Sequence, residues 1–260
     1  MKITKTILAV CLMAMTTAVS AQKTYVHITT ESGIKYDIAS DAITSMTIDT
    51  NAPVTGSTNG HDWVMIGGVK WATMNVGATT VAGLPSTCYG DYYAWGETTT
   101  KNDYSWSTYR YCNGSETSLT KYCNKSSYGY NGYTDSRAVL ESSDDAATAN
   151  WGGKWRMPTS AEWADLYNKN NFTWTWTTQD GHNGYTVTSK KNGNSIFLPA
   201  AGCRTGTSTS SAGSNGNYWS SSISESMSYN AAHRGFSNSS VGDYLGPRYY
   251  GRSVRPVAKK

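Results

Sequence analysis

The chain has 260 residues, 22 Lys and Arg against 18 Asp and Glu, ten Trp and nineteen Tyr. Without Lys2 and Lys5, which belong to the N-terminal segment described next, 20 basic residues face 18 acidic ones, a net charge of +2. That balance argues against nucleic acid or an anionic membrane as partner, and the sparse charge with abundant Gly, Ser, Thr, Asn and Tyr describes a loop-rich protein whose core is built from aromatic rings.

Met1–Ala21 reads as a secretory signal. Lys2 and Lys5 give the basic start, Ile7–Met15 the apolar core and Val19-Ser20-Ala21 the small-residue cleavage site. The apolar run is too short for a bilayer span. Val10 before Cys11 argues against a lipid-anchored leader. The product is expected to be extracellular or at the cell surface, without membrane insertion.

Residues 22–50 read as a small β unit. Val26 and Ile28 alternate, Glu31-Ser32-Gly33 turns, Ile34, Tyr36 and Ile38 alternate again, and Ile43, Met46 and Ile48 suggest a third strand. Residues 51–61 read as a linker, with Pro53, Gly56 and Gly60 among small polar residues. Residues 62–257 then form one domain, and 258–260 a tail.

Within the domain, Val64, Ile66 and Val69-Lys70-Trp71 predict strands. Lys101–Asp135 is a Tyr-rich polar tract expected to be an ordered excursion, and Arg137–Ala149 has helical composition. A helix is predicted from Thr159, which caps it with Glu162 in a capping box, while Trp163, Leu166 and Tyr167 share one face. Trp174 and Trp176 alternate with threonines on a strand. Asp180-Gly181 and Asn183-Gly184 supply a hairpin turn before Tyr185–Thr188, and Ser195–Pro199 is a buried strand. Few helices and many strands place the domain in the α+β class.

Cys88, Cys112, Cys123 and Cys203 remain after the leader, and four cysteines allow three pairings. Nearness in the chain favours Cys112–Cys123 across the Asn-Gly-Ser loop, which leaves Cys88–Cys203; the alternative is four free thiols. No Cys-x-x-Cys or His-Glu-x-x-His spacing points to a metal, and no cofactor is expected. Asp144-Asp145 read as carboxylates bonded to backbone near a helix end rather than as half of an acid/base pair. Trp71, Trp151, Trp155, Trp163 and Trp219 read as core, and Arg156 and Arg255 as structural hydrogen-bond donors.

The segment Ser228–Tyr250 stands apart. It holds no Lys, Glu, Gln, Met or Trp, types used elsewhere in the chain. Its aromatic and small polar residues are the vocabulary of a recognition surface. The candidate ligand-binding residues are Tyr229, Asn230, His233, Arg234, Phe236, Asn238, Asp243, Tyr244, Arg248, Tyr249 and Tyr250. The bland alternative is a tyrosine-rich sheet face with no ligand.

Several blocks together carry a resemblance: WATMNVGA (71–78), DYYAWGE (91–97), DDAATANWGGKWRMPTSAEW (144–163), SIFLPAAG (195–202), NYWSSS (217–222) and GRSVRPV (251–257). In these blocks the chain resembles the Fibrobacter succinogenes major paralogous domain family, over most of residues 63–257. The resemblance implies a C-type-lectin-like fold, with short helices, a twisted antiparallel sheet and a loop-rich binding face, in the class that also contains formylglycine-generating enzymes and the variable proteins of diversity-generating retroelements. The cysteine pair used by the former is absent after Cys203, so that chemistry is not carried over. Adenine-directed mutagenesis of asparagine codons cannot produce Lys, Glu, Gln, Met or Trp, the types that Ser228–Tyr250 lacks.

The reading that follows is a non-enzymatic, adhesin-like binding module for a protein or glycan on a cell surface. Its alternatives are a structural envelope or matrix protein and, behind that, a hydrolase or oxidase on a lectin-like scaffold.

Overall fold

Alternation at Val26/Ile28 and Tyr36/Ile38 sits on two strands, Tyr25–Thr29 (β1) and Lys35–Ala39 (β2), paired antiparallel with Tyr25 opposite Ala39. The computed structural model describes residues 25–29, 35–39, 55–80 and 85–258. The leader, the strand expected around Ile43–Ile48 and the first residues of the linker lie outside the described residues. The chain divides into two compact units, Met1–Asp49 and Thr50–Lys260.

The second unit begins earlier than its sequence suggests. Thr55–Thr58 (β3), placed in a linker by composition, pairs with His61–Ile66 (β4). The Trp63 indole donates to Thr58 Oγ1 at 3.1 Å, which gives this polar segment a reason to be a strand. Gly67-Gly68, both at positive φ, turn β4 into Val69–Ala72 (β5).

Two short helices follow, Pro85–Cys88 (α1) and Ala146–Trp151 (α2), separated by the 101–135 excursion. That excursion is ordered by single 3-10 turns and by Tyr104, Tyr109, Tyr111 and Tyr122, all buried. The Asp135 carboxylate accepts the N–H groups of Tyr122 and Cys123 at 2.8 and 3.0 Å. Only the end of Arg137–Ala149 is helical. Leu140 N–H instead donates to Ser221 O at 2.9 Å, and Asp145 starts α2 by accepting Thr148 N–H. Backbone pairing to a strand edge outweighs helical composition there.

Trp155–Arg156 (β6) leads into Ser160–Leu166 (α3), capped by Thr159 and Glu162 as predicted. Arg156 holds the same Glu162 by both terminal nitrogens at 2.7 and 2.5 Å. Phe172–Gln179 (β7), His182–Ser189 (β8) and Ser195–Pro199 (β9) form an antiparallel meander. Its turn uses Asp180-Gly181 at positive φ, while Asn183-Gly184 lies inside β8. Cys203–Thr205 (β10) and Ser208–Ser210 (β11) make a small hairpin.

Asn215–Ile223 (β12), Asn230–Ser237 (β13) and Ser240–Pro247 (β14) form a second antiparallel meander with β13 in the centre. The last strand, Val257–Ala258 (β15), inserts between β5 and β6 to complete a five-stranded sheet. The architecture is mostly antiparallel β with few, short helices, compatible with the α+β class. Among the described residues, Trp95, Trp155, Trp219 and the buried tyrosines of the excursion form one core cluster. A second is formed by Trp71, Trp163, Tyr218, Phe236 and aliphatics of β8 and β9. The framework tryptophans Trp71, Trp151, Trp155, Trp163 and Trp219 are all buried, as their blocks suggested.

The expected cysteine bridges are not formed: Cys88, Cys112, Cys123 and Cys203 are all free. The thiols of Cys112 and Cys123 point to different carbonyls, Trp106 O and Lys125 O, each at 3.1 Å. Cys88 packs instead with Tyr89 and Ala201.

Candidate functional site

The register of the β12–β14 meander sorts the candidate residues. Tyr218, Arg234 and Asp243 are aligned across the sheet, as are Trp219, His233 and Tyr244. Successive side chains alternate between faces. One face therefore carries Tyr218, Arg234, Phe236, Val241 and Asp243, and the other carries Asn215, Asn217, His233, Gly235, Gly242 and Tyr244.

The first face is interior. Phe236 stacks on Tyr218 at 5.8 Å in the second core cluster. Arg234 is fully buried; its Nη2 donates to Trp163 O at 2.6 Å and meets Asp243 Oδ1 at 2.8 Å. Its guanidinium also lies 5.0 Å from the Tyr167 ring. Burial lowers its pKa and the exposed Asp243 carboxylate opposes that. Asp243 thus serves as counter-ion to a core arginine.

Arg248 is likewise buried, donating to Lys121 O and Tyr122 O at 3.1 and 3.0 Å between the Trp95 and Tyr109 rings. Asn230 is buried beside Met227. Asn230, Arg234, Phe236 and Arg248, read from sequence as ligand contacts, are therefore framework. The central position of β13, and the folding of 248 back under the excursion, put them inside.

The second face is open at the Asn215–Asn217 end. The Tyr244 ring lies across two glycines: a Cβ on Gly235 would come 2.7 Å from its Cδ2, and one on Gly242 3.2 Å from its Cε2. Glycine at both positions lets the ring lie on the sheet, as a flat plate that is still 47% exposed. Asn215, Asn217, His233, Gly235, Ser237 and Tyr244 line a groove of about 350 Å³. His233 sits 5.7 Å from the Tyr244 ring and is itself buried. Burial, then the cation of Arg252, pushes its pKa down to about 2, so it remains a neutral imidazole. Its Nδ1 has no partner among the described residues.

The remaining candidates flank this face. Tyr249 and Tyr250 are half-buried with ring centroids 4.8 Å apart, and Tyr249 is 5.0 Å from Trp106. Tyr229 packs edge-on against Tyr128 at 5.0 Å. Asn238 is exposed at the hairpin tip. Asn215 and Asn217 were missed by the sequence reading. Residues 216–222 looked like fixed framework, yet Asn-x-Asn-x-Trp at 215–219 is the alternation of one strand face.

A second groove, of about 360 Å³, lies on the Val241 side of the same hairpin and is lined by Tyr167, Lys169, Trp174, Tyr185, Lys190 and Val241. The carboxylates at 144 and 145 are structural. Asp144 accepts from Lys121 Nζ and Tyr122 OH, each at 2.6 Å, and Asp145 from Thr148 N and Met157 N at 3.0 and 2.8 Å.

Comparison was made with protein-family models, curated proteins and solved structures. None matches this chain.

Proposed function

We propose that this chain is a non-enzymatic binding module, exported by its leader, that contacts a cell-surface protein or glycan through the outer face of β12–β14 and the adjoining Tyr249–Tyr250 corner. The observation that carries this reading is the Tyr244 plate: a half-exposed ring, laid flat over Gly235 and Gly242 and bordered by a groove. Rigid aromatic surface on a strand costs little side-chain entropy on binding. The short helices, the antiparallel sheets and the ordered excursion support the C-type-lectin-like fold that the sequence resemblance implies. No cofactor enters this reading.

Exposed positions within Ser228–Tyr250 that no core group relies on, namely Asn238, Ser239, Ser240, Tyr244 and Leu245, with the half-buried Tyr249 and Tyr250, are those at which a diversified segment would vary without disturbing the core. Buried Arg234 and Arg248 would be held fixed.

The test replaces Tyr244, Tyr249 and Tyr250 together by Ala in the full chain. The wild type and the variant are compared on a panel of cell-surface proteins and glycans. Binding by the wild type that the variant loses, with its thermal transition retained, supports the reading. Equal binding by both refutes it, and so does a wild type that binds nothing but copies of itself.

A further inference from the structure

The chemistry of the β12–β14 groove narrows the class of ligand, on the premise that this face is a binding surface. We propose that it takes a neutral saccharide, with one sugar ring stacked on Tyr244 and its hydroxyls read by the amides of Asn215 and Asn217.

Three features of the groove lead to this class. First, its lining residues are Asn, Ser, Gly, Tyr, Phe, Leu and one buried histidine, with no Lys, Arg, Asp or Glu among them. An ionic ligand would find no counter-charge there and would lose hydration on entry. Second, β13, the central strand of the groove floor, is paired on both sides, with β12 and with β14. An extended peptide therefore has no strand edge on this face to pair with, and side chains must do the recognition. Third, the available groups alternate in kind. The Tyr244 ring offers an apolar face for the C–H surface of a pyranose. The Asn215 side-chain amide has no hydrogen bond within the described residues, and that of Asn217 has only a long one, Nδ2 to Gly202 O at 3.4 Å. Each amide supplies both a donor and an acceptor, which suits a hydroxyl that is itself both. A ring plate beside unspent amides, over a glycine floor, matches a flat ligand with hydroxyls at its rim. The groove volume of about 350 Å³ lies at the small end of ligand sites.

The groove on the other side of the hairpin provides the contrast. Lys169 and Lys190 line it, and an acidic sugar would go there. Both lysines are exposed and also make contacts within the chain. Lys190 Nζ donates to Lys169 O at 2.6 Å, and Lys169 Nζ lies 5.6 Å from the Tyr167 ring centre.

The experiment is calorimetric titration of the full chain with mannotetraose, cellotetraose and tetra-N-acetylchitotetraose, and with tetragalacturonate as the acidic probe. Saturable binding of at least one neutral probe is expected. Tyr244→Ala should weaken it about tenfold, the scale of one lost ring contact. Tyr244→Phe should keep it, and Lys169→Ala with Lys190→Ala should leave it unchanged. Asn215→Ala gives a second weakening that does not touch the ring. Near-ultraviolet circular dichroism checks that each variant is folded. The assignment is overturned if no neutral probe binds at millimolar concentration, if only tetragalacturonate binds, or if neutral binding ignores Tyr244→Ala. A protein ligand whose capture depends on Tyr244, with no neutral sugar bound, overturns the saccharide but keeps the binding face. No Tyr244-dependent binding of any kind overturns both.

Discussion

The Arg252 guanidinium lies over the Trp219 ring, 4.3 Å from its centroid, and packs against Gly246, where a Cβ would come 2.3 Å from Nη2. Three residues on, Arg255 is buried to the same degree but in a different manner. Its Nε donates to Asn75 Oδ1, and its terminal nitrogens donate to Ala72 O, Thr73 O and Phe197 O, all at 2.8–3.0 Å. Arg252 Nε and Nη1 have no partner among the described residues. Burial lowers both pKa values to about 10, so both remain cations at neutral pH. The two should respond to removal of the charge by very different amounts. Arg255→Met strands four oxygens that chain segments share and should cost about 3 kcal/mol or more. Arg252→Met removes a desolvated charge while keeping contact with Trp219, and should cost less than about 1 kcal/mol. Urea denaturation of the two variants measures the difference; equal losses would contradict the assignment of roles.

Gly235 should matter more to binding than its size suggests. Alanine there would collide with the Tyr244 ring, 2.7 Å from its Cδ2, and tilt it off the sheet. The ring is half exposed and can move outward, so the stability loss should stay near 1 kcal/mol, the low end of the range for overpacking a closed core. Ligand capture, measured beside Tyr244→Ala, should fall to a similar extent. Gly246→Ala is the control: it presses on Arg252 in a closed space and should cost about 1–3 kcal/mol.

The fold was legible where local chemistry decides it. The Thr159/Glu162 capping box, the Asp180-Gly181 turn and the buried tryptophan blocks were all readable, because each is set by neighbours in the chain or by sheer apolar area. The motif at 251–257 was readable as framework but not for its cause. Residues 251–253 bond backbone to backbone with Arg204, Tyr93, Trp219 and Asn217, a set of partners that no spacing announces. The site was legible only in part. Ser228–Tyr250 pointed to the right hairpin, but composition cannot say which of two alternating residues faces out. Arg234 and Tyr244 look alike as recognition residues; the register makes one a core cation and the other an exposed plate. β3 was hidden because Thr55–Thr58 has a linker's composition and becomes a strand only through Trp63 and the β4 edge.

The thiols give a direct check on the corrected cysteine assignment. Burial pushes the pKa values of Cys88, Cys112 and Cys203 upward, so these groups are protonated and slow to react at neutral pH. A bridge across the 112–123 loop would stabilise by roughly 2–3 kcal/mol. Dithiothreitol should therefore leave the melting temperature unchanged, and alkylation after unfolding without reductant should label Cys88, Cys112, Cys123 and Cys203. A drop of several degrees on reduction would mean that a disulfide is present after all.

Acid should weaken the fold in two stages. His233 is the first. Burial and the Arg252 cation hold its folded pKa near 2, against an ordinary value of 6.5. The unfolded chain therefore takes up a proton that the folded chain refuses. Stability from this group is complete above about pH 6.5 and declines below it, by roughly 1.4 kcal/mol per pH unit at most. The second stage belongs to Asp144, Asp135 and Glu162. Burial alone would raise these carboxyls. Lys121 and the Tyr122 hydroxyl at Asp144, the Tyr122 N–H and Tyr133 hydroxyl at Asp135, and Arg156 at Glu162 outweigh it and hold all three low. Their contribution is present above about pH 4 and is lost as pH falls through the lowered values. Thermal melts from pH 8 to pH 3 should show a gradual decline starting near pH 6.5 and a steeper one below pH 4. In His233→Phe the upper stage should flatten while the lower stage persists. A decline of unchanged slope between pH 6.5 and 4 in that variant would place the first proton on another group.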